Sequence, residues 1–412
     1  MDSEERLFRH ESGRILAALT RIFGLDHLAL AEDVMQDTFC RALEVWKLRG
    51  VPENPSAWLM KAAKNRAIDV LRREQTARRF VPELERLLES EWTMVPTVQG
   101  FFDAQTIKND QLRMMFTCCD PRIPEDGQVA LTLNLLAGFT AREIANSFLS
   151  KTATIEKRIE RAKSILAANR GLFDLSDDEL PARLSAVHRA LYLLFNEGYH
   201  GASKQSSVRG ELCREAMRLT ALLLDQPLAS TPATYALCAL MWLHAARLPA
   251  RVNGEGELVA LIDQDRSRWD AKLIAKGNAF LELSATGSQL SEYHIEAAIA
   301  SIHANARDID HTDWNQIVWL YDTLMEIRPS PIVALNRAIA IAHRSGPDCG
   351  IQAILAIEKR ERLESYPFFP AALGELEMRV GHRDAARRYF ERAVSLARNP
   401  MERRFLRSRL KR

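Results

Sequence analysis

Three stretches of this 412-residue sequence carry residue types that could do chemistry. "DQDRSRWD" gathers Asp263, Asp265, Arg266, Arg268, Trp269 and Asp270, and His294, His303, Asp308, Asp310 and His311 come after it. Carboxylates and histidines at that density could serve an enzyme or a ligand site. A helical scaffold also needs buried arginine–carboxylate pairs to fix its packing, and that structural role is the expected one. The second stretch, "ATIEKRIERAKSIL" (153–166), sets Ile155, Ile159, Ala162, Ile165 and Leu166 at helical spacing, with Lys157, Arg158, Arg161 and Lys163 between them. Such a helix either presents a solvated face or carries its cations into a DNA groove. The third pairs an acidic helix with a basic one. In "LALAEDVMQDTFCRALEVW", Asp33 and Asp37 lie four apart with Gln36 beside them, while in "PSAWLMKAAKNRAIDVLRRE" Trp58, Leu59, Ala62, Ala63, Ala67, Ile68 and Leu71 supply a core. Lys61, Lys64, Asn65, Arg66, Arg72 and Arg73 give that second helix its polar reach.

Helical periodicity dominates the elements that must hold these residues, and alternating β-branched runs are almost absent, so an all-α fold is expected. Residues 1–79 form a helical block broken at "KLRGVPENPSAW", where Gly50, Pro52 and Pro55 force an irregular connection. On its acidic helix Val34, Phe39, Ala42 and Leu43 are expected to pack inward. Residues 80–110 read as a linker with one helix, and 111–172 as a second block. There Thr140 and Thr152 are the expected N-caps of successive helices, with Ile144 and Ala145 facing inward. This is a helix-turn-helix layout that leaves Thr154, Lys157, Arg158 and Arg161 outward. The remainder, 173–412, is rich in Ala and Leu. Near 367–400, Leu373, Gly374, Gly381, Ala386, Phe390 and Ala393 reproduce the small–large spacing of a tetratricopeptide repeat, although Glu377 stands where that repeat has a tyrosine. The preceding "PIVALNRAIAIAHRSGPDCGIQAIL" is a degenerate unit.

A net charge of +2 gives no global nucleic-acid signature, so any basic footprint must be local. Six cysteines without CxxC spacing point to neither a disulfide framework nor a zinc site, and Cys118 and Cys119 read as buried helix residues. The charged "MDSEERLFRH" lacks the apolar core of a signal peptide, and no run is long enough to span a bilayer. A cytoplasmic protein without membrane insertion, metal or cofactor is expected.

"AEDVMQDTFCRAL", "AWLMKAAKNRAIDVLRRE" and "LAGFTAREIANSFLSKTATIEKRIERAK" together closely resemble the extracytoplasmic-function group of bacterial RNA polymerase sigma factors, in the sigma-70 family. The resemblance implies a region 2 domain over 1–79 and a region 4 helix-turn-helix over 111–172. Asp33, Gln36 and Asp37 would then engage a basic coiled-coil surface on core polymerase. The loop 47–55 would receive an unstacked base of the minus-ten promoter element, with Trp58, Lys61, Asn65, Arg66, Arg72 and Arg73 holding the strand. Thr152, Thr154, Lys157, Arg158 and Arg161 would dock the minus-thirty-five element. "LYLLFNEGY", "DQDRSRWD", "TDWNQIVWLYD" and "PSPIVALNRAIA" are similar to the branch whose long helical extension has tetratricopeptide character. The turn "SFLSKT" departs from the family in lacking its usual glycine. The resemblance thus implies a transcription initiation factor with no catalysis of its own. Its partners would be core polymerase, promoter DNA, and a regulatory protein or small ligand at the extension. Two other readings compete: a DNA-binding regulator that never docks on polymerase, and a ligand-binding or enzymatic domain tethered to a DNA reader.

Overall fold

Among the described residues, the stretches with an apolar 3.6-residue period are helical. The computed structural model describes residues 2–74, 91–147, 150–168, 179–200 and 208–411, and among these there is no strand, only an isolated bridge between Val252 and Leu258. The chain divides into two compact units, Met1–Leu194 and Phe195–Arg412.

The first unit is built on α1 (Asp2–Phe23), whose Ile15, Leu16, Leu19, Ile22 and Phe23 are fully buried. It packs against α2 (Leu28–Arg49), α3 (Pro55–Glu74) and α5 (Ala104–Cys118), with α4 (Glu91–Phe101) alongside. Then come α6 (Glu125–Leu135), α7 (Ala141–Ser147), α8 (Thr152–Ala167) and the first turns of α9 (Glu179–His200). The segment read as a linker thus carries α4 and the start of α5, and the ends expected near 79 and 172 fall outside the described residues. Helices α1 and α6 approach closely because Gly13 has no side chain: a Cβ there would stand 2.3 Å from the carbonyl oxygen of Leu136. The two helical blocks of the sequence therefore share one core.

One inward assignment on α2 is corrected. Leu43 is exposed, because the buried stripe runs Ala31, Val34, Thr38, Ala42, Trp46 and Leu43 lies a further 100° round the helix. Phe39, half-buried, stacks on Phe8 with ring centroids 4.7 Å apart. Cys118 and Cys119 are buried free thiols, and burial pushes Cys119 up to about 12.

The second unit continues with α10 (Gly210–Leu224), α11 (Pro232–Ala245), the short α12 (Leu248–Arg251), α13 (Ala271–Ser284) and α14 (Glu292–Asn305). Next are α15 (Trp314–Ile327), α16 (Pro331–Ser345), α17 (Pro347–Leu355), α18 (Phe368–Val380), α19 (Arg383–Leu396) and α20 (Pro400–Leu410). From α13 onward each helix packs on the next, and α11, buried almost all round, is clasped by α13 and α14. In the α18–α19 pair Gly374 lies against the Phe390 ring, where a Cβ would come within 3.2 Å, and Gly381 closes α18 at φ 99°. Glu377, in place of the tyrosine, binds His382 at 2.8 Å.

Candidate functional site

On α3, Trp58, Lys61, Asn65, Arg66, Arg72 and Arg73 fall on one face, opposite the buried Leu59, Ala63, Ala67 and Leu71. Lys61, Asn65, Arg72 and Arg73 are exposed. Trp58 is half-buried: it meets Trp46 edge-on at 5.5 Å and also lines a groove. That groove, about 590 Å³, runs between α2 and α3 and is bounded by Asp37, Arg41, Trp58, Asn65 and Arg66. Across it Arg66 donates to Asp37 at 2.8 Å.

The three residues expected to face polymerase are divided. Asp33, Gln36 and Asp37 are all exposed on α2, but Asp33 and Gln36 line a different groove, about 350 Å³, whose far wall is Glu156, Ile159 and Lys163 of α8. At its edge Lys163 donates to Glu32 at 2.6 Å. Sequence reasoning missed this contact because nothing local links positions 131 residues apart.

The helix pair α7–α8 forms as expected at its first end. The Glu143 amide donates to the Thr140 hydroxyl at 3.2 Å and the Thr140 amide to the Glu143 carboxylate at 2.9 Å, a reciprocal capping box. Arg9 of α1 also reaches Glu143, at 2.6 Å. Burial works to raise the Glu143 carboxyl, but these Thr140 and Arg9 contacts outweigh it and hold the group below the usual carboxylate range. Ile144, Ala145, Ile155 and Ile159 are buried. At the second end the expectation is corrected: Thr152 is the first helical residue, and the N-cap is Lys151, extended at φ −82° and ψ 140° with no side-chain bond. The chain leaves the turn one residue earlier than a Thr152 cap requires. In "SFLSKT", residues 148 and 149 lie outside the described residues, and Ser150 donates its amide to Ala145 at 2.8 Å. Thr154, Lys157 and Arg161 are exposed on the outer face of α8, Thr152 is half-buried, and Arg158 pairs with Asp126 at 3.1 Å.

In the second unit the "DQDRSRWD" carboxylates hold structure. Asp263 pairs with Arg409, Asp265 bonds the Ser267 amide at 3.0 Å, and Asp270 caps α13 through the amides of Lys272 and Leu273. His294 completes a capping box with Ser291, and His311 bonds Asp308 at 2.6 Å. Among the described residues no three metal-ligating side chains converge.

Residues 7–77 match the family model for sigma-70 region 2, and residues 183–285 match a family of unknown function, DUF6596. An uncharacterized protein of Rhizobium meliloti (strain 1021) is 36% identical over 396 residues, which is 96% of this chain and 92% of that protein. The first unit thus carries a sigma-70 region 2 domain, and over nearly its whole length the chain belongs to one family with that relative.

Proposed function

We propose that this protein is an RNA polymerase sigma factor of the extracytoplasmic-function type that binds core polymerase, recognises promoter DNA and helps open it. The observation that carries the reading is the paired α2–α3 surface inside the region 2 match: acidic side chains on one helix, and six polar, cationic or aromatic side chains on one face of the next. Asp33, Gln36 and Asp37 dock on a basic polymerase surface by charge complementarity. Lys61, Asn65, Arg66, Arg72 and Arg73 hold the opened strand against Trp58, offsetting the few kcal/mol, roughly, that unstacking a base costs. The outer face of α8, with Thr154, Lys157 and Arg161, docks upstream DNA in the manner of a helix-turn-helix, with Thr152 and Arg158 at its border.

The second unit, with its tetratricopeptide-like α18–α19 pair, regulates or supports that activity in the cytoplasm. Bond formation itself belongs to polymerase.

Reconstituted transcription tests the reading. Full-length protein added to core polymerase starts RNA synthesis from members of a randomised promoter library, and Asp33→Lys with Asp37→Lys abolishes it while duplex DNA binding survives. DNA binding without any polymerase association would establish the regulator reading instead.

A further inference from the structure

Among the described residues, three guanidinium groups in the second unit make no ion pair: no carboxylate lies within ion-pair distance of Arg247, Arg251 or Arg266, and only Arg266 feels a more distant one, Asp308. Arg251 donates to the carbonyl of Tyr199 at 2.9 Å and lies 2.7 Å from His200 Nδ1. Arg266 donates to the carbonyls of His303 at 2.8 Å and Ala306 at 2.5 Å. Arg247, only 6% exposed, has no such support. Its Nε is without a partner, and its guanidinium lies 5.5 Å from the Trp269 ring centroid. The Trp269 ring also has Arg266 at 5.0 Å, so two cations flank one indole.

Unmade hydrogen bonds gather around the same cations. His244 Nδ1, Trp269 Nε1 and His303 Nδ1 are all buried and unpartnered. The Tyr199 and His244 rings lie 5.0 Å apart, and Arg251 stands 4.2 Å over Tyr199. Arg247 is near enough to His244, His303, Arg251 and Arg266 for its charge to lower the proton affinity of each, adding to burial as the main cause. Burial thus holds His303 down at about 3 and keeps His244 neutral too, so each ring keeps one N–H and one acceptor near neutral pH.

A buried charge left uncompensated costs stability, and so does each buried polar atom without a partner. Such an arrangement persists where something supplies the missing partner. Guanidinium forks match the oxygens of phosphate and carboxylate, and three positive charges call for more than one negative charge. We propose that Arg247, with Arg251, Arg266, Tyr199, His244, Trp269 and His303, forms a binding site for the phosphoryl dianion of a small ligand. All but His303 lie within the match to the family of unknown function. The inference gives chemistry to the regulatory role proposed for this unit and does not rest on the sigma assignment.

The test uses full-length protein and inorganic phosphate, read by titration calorimetry and thermal unfolding against sodium chloride at matched ionic strength. Phosphate is expected to bind saturably at one site and raise Tm by several degrees, and acetate is expected to do neither. Arg247→Met is expected to weaken phosphate binding at least tenfold, yet to melt no lower than the parent without phosphate, because it removes an uncompensated buried cation. Lys157→Ala with Arg161→Ala, which alters the α8 face, is expected to leave phosphate binding intact. Absence of a phosphate-specific response, its survival in Arg247→Met, or a strongly lowered Tm of that variant alone would each overturn the site; equal binding of acetate would overturn the phosphoryl assignment. Polymerase takes no part in these measurements, so their failure is separable from failure of the sigma reading.

Discussion

Arg66 and Asp37 are bound to each other. The pair joins the residue expected to hold promoter DNA to one expected to face polymerase, 29 positions earlier on the neighbouring helix, at 2.8 Å. Both side chains remain well exposed, 37% and 58%. Exposed pairs contribute about 0–1 kcal/mol, so this one orients two side chains more than it stabilises the unit. Exchanging the charges, Asp37→Arg with Arg66→Asp, is expected to keep the parent Tm within a few degrees while lowering affinity for core polymerase at least tenfold. Calorimetry and a polymerase-binding titration check both halves, and parent-like polymerase affinity in the exchanged variant would remove Asp37 from the docking surface.

The outer face of α8 makes a prediction about salt. Each cation that neutralises a phosphate contributes roughly one to the slope of log K against log salt concentration. Lys157→Ala and Arg161→Ala are each expected to weaken duplex binding and reduce that slope by about 1. Arg158 is held by Asp126, which competes with phosphate for the same guanidinium. Asp126→Asn is therefore expected to tighten DNA binding severalfold at low salt. Fluorescence anisotropy across a salt series measures all three.

The helices and the buried faces of α2, α3 and α8 were legible because the apolar period is local. Thr140 was readable as a cap for the same reason, since its partner Glu143 is three residues on. Thr152 was misplaced because the sequence carries no record of where an extended Lys151 ends the turn. Leu43 shows the same limit in the core: its apolarity is visible, but which flank of the stripe meets α1 is a tertiary matter. The Glu32–Lys163 contact depends on two segments far apart in the chain. Arg247 and Arg251 stand four apart in "HAARLPAR", a spacing plain in the sequence, but the lack of a carboxylate opposite them exists only in three dimensions.

Glu32 and Lys163 border the groove that holds Asp33 and Gln36, and their side chains are only 21% and 27% exposed. Lys163→Glu sets two carboxylates together there and is expected to destabilise the first unit by about 1 kcal/mol, at the top of the range of an exposed pair. Adding Glu32→Lys is expected to restore most of the loss. A double-mutant cycle by urea unfolding gives the coupling, and a coupling near zero would mean that the contact holds nothing.

Gly13 tests whether the two helical blocks share a core. An alanine there meets the backbone carbonyl of Leu136, which cannot swing away as a side-chain tip can. Gly13→Ala is expected to cost about 1–3 kcal/mol as overpacking, despite the gain in helix propensity that the same change gives on an open surface. A variant as stable as the parent would show that α1 and α6 are not in this contact in solution.

The capping box of α7 carries a pH signature. Glu143 accepts from Thr140 and Arg9 in the folded chain, which holds its carboxyl below the ordinary value; in the unfolded chain it returns to that value. A depressed folded pKa makes the unfolded state bind the proton more tightly, so the contribution is complete above the unfolded pKa and is lost as pH falls through the folded one. Glu143→Gln keeps the shape but cannot ionise. Its stability deficit relative to the parent is expected to be constant from pH 7 to about 5.5, where model glutamates are ionised, and to shrink steadily as the solution is acidified further. Denaturant unfolding of both proteins over that series reads the difference directly. A deficit that grows on acidification would mean that Thr140 and Arg9 do not hold the carboxylate in solution, and with it the anchor of the α7–α8 pair on α1 would be lost.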